Sequence, residues 1–167
     1  PAQMLARVEE LFGPLPARSD PPSVNRPEPP QRGERRVELE GPGSTAYFQA
    51  AYHAPAATDP DFFPMAILTA ILTGASGMNL FAPSPPNRSS RLYRALVETQ
   101  LAAGVGGSLS PMFDPYLYTI SATARAGRGL DEVESALDSE IERVLQEPIS
   151  ANELQTAIKQ AKAQFAY

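Results

Sequence analysis

The 167-residue sequence predicts an α+β fold: a mostly antiparallel sheet with helices packed on one face. Three features carry that reading. YLYTISATAR at 116–125 alternates Tyr116, Tyr118, Ile120 and Ala122 against Leu117, Thr119, Ser121 and Thr123, the period-two signature of a strand. Just after it, Leu130, Val133, Leu137, Ile141, Val144 and Leu145 recur at helical spacing. The elements also run strand, strand, helix, helix, and then the same again. Strands joined by short turns favour antiparallel ladders, with the helices covering one side.

Taken in order, AQMLARVEELF at 2–12 spaces Leu5, Val8, Leu11 and Phe12 as one helical stripe, stopped by Gly13 and Pro14. PLPARSDPPSVNRPEPP follows, a proline-rich polar bridge suited to extended, semi-rigid linkage. RRVELE at 35–40 alternates Val37 and Leu39 and predicts a short edge strand, followed by the turn Gly41-Pro42-Gly43. TAYFQAAYH at 45–53 predicts a second strand. Its aromatics fall on both faces, Phe48 and Tyr52 against Tyr47, so a central position is expected. Thr58-Asp59-Pro60-Asp61 then starts a helix, and FFPMAILTAIL at 62–72 is apolar nearly all round, which demands burial on most of its surface.

Pro83, Pro85 and Pro86 place a loop between Ala75 and Asn87. Ser89 or Ser90 caps the next helix, whose stripe is Leu92, Tyr93, Leu96 and Val97, closing at Leu101. Glycines 104, 106 and 107 mark a bend or bulge into a strand with Val105 and Leu109. After the long amphipathic helix, Glu147-Pro148 makes a stop. Ser150 and Glu153 then read as a capping box with Ile149 and Leu154 as its staple, opening a helix that carries Ala157, Ile158, Ala161 and Phe165.

Composition narrows the function. A net charge of −5 argues against nucleic acid, which needs a basic face, and against a polybasic membrane attachment. No run of apolar residues is long enough to span a bilayer. The chain has no cysteine, hence no disulfide and no thiolate metal site, a composition that suits periplasm and cytoplasm alike. It opens at Pro-Ala-Gln without an initiator Met and stops at Tyr167 within a helical pattern, so it reads as an excerpt of a longer polypeptide.

Chemistry is sparse. His53 is the single imidazole, and Ala54, Pro55, Ala56 and Ala57 follow it, which leaves no zincin-type signature and makes it a strand-end residue. Glu132, Glu134, Asp138 and Glu142 crowd the polar side of one helix, where a solvated face is the plain reading beside cation binding. Gly104-Val105-Gly106-Gly107-Ser108 enters a strand rather than a helix, the wrong order for a phosphate cradle. No G-x-S-x-G elbow exists, and no second histidine could activate a serine. From the residues alone the catalytic and metal sites are none.

Four pieces, in order, nevertheless form a pattern: VEELFGPLP with its proline-rich bridge; YFQAAYHAPAATDPDFFPMAILTAILTG; SSRLYRALVETQLAAGV; and DPYLYTISATARAGRGLDEVESALDSEIERV with ISANELQTAIKQAKAQFAY. Together they resemble the second, non-zinc-binding domain of the insulinase or pitrilysin-like zinc metallopeptidases, the group that includes mitochondrial processing peptidase. That resemblance implies homologous α+β domains closing as a clamshell around a peptide chamber. Zinc would be bound outside this chain, on an H-x-x-E-H helix of a preceding domain or partner peptidase subunit. Residues 1–13 would be the tail helix of that preceding domain, 14–34 a linker, and 35–167 the non-catalytic domain, cut within its last helix.

Many such domains carry an arginine and, seven residues on, a tyrosine that contact substrate. Here the arginine position falls on Val97 and the tyrosine position on Gly104, or on Ala103 if the corner is one residue shorter. Neither can donate the hydrogen bonds that role requires. Loss of the pair favours a parent that holds zinc. The alternatives are a proteolytically inactive homologue serving as scaffold or partner subunit, and an unrelated α+β interaction module. A truncated last helix would also leave apolar surface through which copies of the excerpt could self-associate.

Overall fold

The computed structural model describes residues 2–16, 29–75 and 88–165 of the chain. It divides into two compact units, Pro1–Glu40 and Gly41–Tyr167. In the first unit, α1 spans Ala2–Phe12, ended by Gly13, whose N–H donates to the Glu9 carbonyl at 2.8 Å. No residue of α1 is buried, and the stripe of Leu5, Val8, Leu11 and Phe12 is exposed. Most of the proline-rich bridge (17–28) and the loop of 76–87 lie outside the described residues.

The expected strand at 35–40 does not form. Those residues are irregular, with Val37 79% and Leu39 90% exposed. Alternation alone cannot hold a strand: its stability comes from ladder bonds and cross-strand contacts, and among the described residues no strand pairs with 35–40.

In the second unit the described strands form one antiparallel three-stranded sheet, in the order β1-β3-β2. They are β1 (Tyr47–Ala54), β2 (Ala102–Leu109) and β3 (Tyr116–Ala124). The central strand is therefore β3, and β1 lies at an edge of the described sheet rather than in its middle. Aromatics on both faces of β1 misled the sequence reading. Tyr47, on the side away from the helices, is 71% exposed, so the second aromatic face is open rather than buried.

Pairing sets which side chains share a face. Phe48, Ala50 and Tyr52 of β1 stand opposite Ala122, Ile120 and Tyr118 of β3, which in turn meet Val105, Gly107 and Leu109 of β2. Tyr118, Ile120, Ala122 and Ala124 are all buried. They form one core with Leu72, Leu92, Leu96, Ala102, Val133 and Leu137. Within this unit the described helices thus cover the inward face, as the alternation of β3 requires.

Of the helices, α2 (Phe62–Leu72) is buried only over Thr69–Leu72, and Phe63 stays open. Its all-round apolar sequence overstates its burial: Met65, Ile67 and Leu68 are half-buried against the cores, and only the C-terminal end is fully covered. The next segment turns helical at Arg91–Leu92 and continues as a π-helix, Tyr93–Glu98. Leu92 and Leu96 are fully buried there, while Tyr93 and Val97 flank them half-buried. The long helix α3 (Leu130–Gln146) buries Val133 and Leu137 as its stripe predicts, but Leu145 is 80% exposed at its end. Helix α4 (Ala151–Phe165) packs on α2 through Ala157 against Ala70 and Ile71, with Ile149 beside them.

Gly107 marks the tightest approach between sheet and helix. A Cβ there would be driven into the Thr73 hydroxyl and to 3.0 Å from the Tyr118 hydroxyl. Burial pushes the Tyr118 phenol up to about 12, against a smaller downward pull from the Thr73 and Thr69 hydroxyls beside it. Neither threonine meets the phenol in good hydrogen-bonding geometry, and their own protons go to the helix carbonyls of Thr69 and Met65. At Gly104 nothing stands within reach of an added Cβ.

Two glycines three residues apart therefore differ sharply. Gly107→Ala is expected to destabilise the domain by about 1–3 kcal/mol through overpacking. Gly104→Ala should change stability by less than about 0.5 kcal/mol, as for a substitution without a steric partner. Urea denaturation of both variants checks this contrast.

Candidate functional site

The side of the sheet away from the helices is open and built mostly from small or polar side chains. Gly104, Gly106 and Ser108 of β2 lie opposite Thr123, Ser121 and Thr119 of β3, which meet Tyr47, Gln49 and Ala51 of β1. His53 continues the same face opposite Leu117 and is exposed. Such a face has too little apolar area to hold a packed layer, yet it offers hydroxyl and amide groups along strands whose edges are near.

The corner feeding β2 carries the two positions singled out in the sequence. The Leu101 N–H donates to the Leu96 carbonyl at 2.9 Å, five residues back, which is the widened turn of a π-helix. Gln100 follows in the left-handed region at φ 63°, its N–H donating to the Val97 carbonyl at 3.1 Å. The Arg125 N–H then donates to the Leu101 carbonyl at 2.9 Å, tying the exit of the corner to the end of β3. Between Ala102 and Gly104 the register shifts by one residue, leaving Ala103 as a bulge.

The glycine-marked bulge is thus present, and it is Ala103 rather than a glycine that bulges. Val97 is half-buried, Ala103 is exposed and Gly104 faces the open side in one cross-strand row with Thr123 and Tyr47. With strands about 4.8 Å apart, the Tyr47 backbone lies roughly 10 Å from Gly104.

The acidic residues of α3 do not converge. Glu132 accepts the Gly129 N–H at 3.2 Å and an Arg128 hydrogen bond at 3.4 Å, capping the helix start. Asp138 and Glu142 are exposed and Glu134 half-buried along the same helix. Among the described residues no group of three or more His, Asp or Glu side chains comes together as a metal site. No helix among the described residues is long and apolar enough to cross a membrane.

One polar feature escaped the sequence reading. Arg91 and Glu153 form a two-pronged ion pair, Nε to Oε1 at 2.7 Å and Nη2 to Oε2 at 2.8 Å, joining the start of the π-helix segment to α4. The Arg91 hydrogen bond holds the Glu153 carboxyl below its ordinary value, against a smaller upward push from burial. Glu153 is therefore only half of a capping box. Its N–H donates to the Ser150 hydroxyl oxygen at 3.3 Å, but its carboxylate goes to Arg91 instead of back to the cap. The intended staple is also split, with Ile149 packed against α2 and Leu154 exposed. No local pattern could reveal a pair 62 residues apart.

Because the Glu153 pKa is depressed on folding, the pair's contribution is present above the ordinary carboxylate range and is lost as pH falls through the folded value. Glu153→Gln should cost about 1–3 kcal/mol at neutral pH, as for loss of a charged hydrogen bond. That difference from the parent chain should shrink toward zero in acid. Paired urea titrations near neutrality and in acid check both the size and the sign.

Against known proteins, the family model described as the peptidase M16 inactive domain matches residues 1–161. The structure of a "putative zinc protease from Bordetella pertussis Tohama I" is similar at 31% identity and a TM-score of 0.60, covering 75% of this chain and 63% of that one. The "inactive peptidase domain of a putative zinc protease from Bordetella parapertussis" is similar at 31% identity and a TM-score of 0.59, covering 78% and 64%. A peptidase M16 inactive domain from Pseudomonas fluorescens shares the fold at 21% identity and a TM-score of 0.55, covering 75% of this chain and 27% of that one. The chain thus spans less than two thirds of the length of each of these structures. No curated protein matches. The α+β architecture, the open sheet face and the match over nearly the whole sequence agree, and the chain belongs to the peptidase M16 inactive-domain family.

Proposed function

We propose that this chain is the non-catalytic second domain of a zinc metallopeptidase, and that its open sheet face helps enclose the chamber in which a peptide substrate lies. The family match over residues 1–161 carries the reading. The row of Gly104, Thr123 and Tyr47, with Ser121 and Thr119 beside it, supports it physically. A shallow wall of hydroxyls and bare backbone accommodates extended peptides of varied sequence without filling the space they need.

In this reading α1 is the tail of a preceding zinc-binding domain and residues 14–34 are the linker. Zinc and the water it activates belong to that domain or to a partner subunit. Val97 and Gly104 leave the arginine–tyrosine positions unfilled, so substrate is not gripped from this corner. Peptide hydrolysis then requires the complete protein, and this chain supplies shape rather than chemistry.

The experiment is a peptidase assay on the 167-residue chain and on the full-length parent, each with added zinc and with chelator. The chain alone should cleave nothing under either condition, and the parent should cleave peptides only with zinc. Zinc-dependent cleavage by the chain alone would sink the reading, and an inactive parent lacking H-x-x-E-H would replace it with a scaffold. Within an active parent, Ser121→Arg on the open face should raise KM several-fold while leaving Tm unchanged. An unchanged KM would remove this face from the chamber wall.

A further inference from the structure

On the open side of the sheet, Gly104 and Gly106 of β2 stand in two successive rows with Thr123 and Ser121 of β3. A Cβ added at Gly104 would meet nothing within 4 Å, and one at Gly106 only the Ser121 hydroxyl, at 4.0 Å. Neighbouring strands lie about 4.8 Å apart and same-face residues of one strand roughly 6.7 Å apart. The four positions therefore bound a bare floor about the size of one aromatic ring.

The same two rows end in Tyr47 and Gln49 of β1. Along the first row the side chains fall from a phenol ring to a threonine to nothing, so the surface is a step rather than a flat wall. Tyr47 is 71% exposed, so its cross-strand neighbour Thr123 covers little of the ring. A bare ring beside an unfilled floor gains by being covered, through buried apolar area and through stacking with a second ring. Along its three strands this face has no Asp, Glu, Lys or Arg, and His53 stands at its far end. A charged side chain seated on the step would lose hydration with no ion pair in return. The Thr123 and Ser121 hydroxyls and the Gln49 amide at the margin suit the backbone of the chain that delivers the side chain.

We propose that this step is a specificity subsite. It seats one large uncharged side chain of the peptide, an aromatic one best, against the Tyr47 ring and over Gly104 and Gly106. The inference rests on the chamber reading, which supplies the occupant, and adds a preference at one peptide residue while those on either side stay free to vary.

The test uses the full-length parent and quenched fluorescent peptides of one sequence in which Phe, Ala or Glu replaces each residue in turn. At one position kcat/KM should be about tenfold higher for Phe than for Ala, and lowest for Glu, the discrimination an apolar site gives for a few carbons. Tyr47→Ala and, separately, Gly104→Leu should bring that Phe:Ala ratio below about twofold, whereas Tyr47→Phe should keep it. Tyr47 is exposed and Gly104 borders open space, so an unchanged Tm is the accompanying control. The absence of any position that prefers Phe, or a preference that survives either Tyr47→Ala or Gly104→Leu, overturns the proposal. Ser121→Arg separates that failure from failure of the chamber reading. A raised KM with a ratio unmoved by Tyr47→Ala removes the subsite and leaves the face in the chamber, while an unchanged KM removes both. A parent that cleaves no peptide likewise removes both.

Discussion

Everything in the second unit depends on one row of side chains. Tyr118, Ile120, Ala122 and Ala124 project from the same side of β3 and are all buried. A strand flanked on both edges can bury only one of its faces if helices lie on one side, and the alternation of β3 chooses that face. Shifting the register by a single residue would turn Thr119, Ser121 and Thr123 inward, each with a hydroxyl that the core offers no partner. The fixed register then places Gly107 opposite Ile120 and beneath Thr73, so the bare backbone of β2 is what lets α2 lie down on the sheet.

The corner from the π-helix into β2 follows from the same constraint. Leu92 and Leu96 both reach the core, and Ala102 must enter the ladder facing inward. The chain meets those demands by spreading an irregularity over three places: a widened helical turn, a left-handed Gln100 and a bulge at Ala103. None is needed for a generic helix-to-strand connection. Together they turn Gly104 to the open face, where the backbone stands bare.

Much of this was legible in the sequence because it depends on local periodicity. The extents of α2, β3 and α3 follow from runs of apolar residues at spacing 2 or 3.6, and the bulge was announced by closely spaced glycines. What failed did so for non-local reasons. Val37 and Leu39 have a strand pattern but pair with no strand among the described residues, and pattern without partner is not structure. Tyr47 looked like a second buried face because sequence cannot tell an open aromatic from a covered one. Leu145 continued a stripe past the point where α3 still has a neighbour. Glu153 fitted a capping box until Arg91, distant in sequence, claimed its carboxylate.

The domain therefore presents two surfaces of opposite character, and the same sheet separates them. The open face carries hydroxyls, glycines and an amide beside Tyr47 and His53, and no carboxylate, lysine or arginine along its three strands. The helix side holds a groove whose charges are tightly paired, Arg91 to Glu153 and Arg143 to the largely buried Glu140.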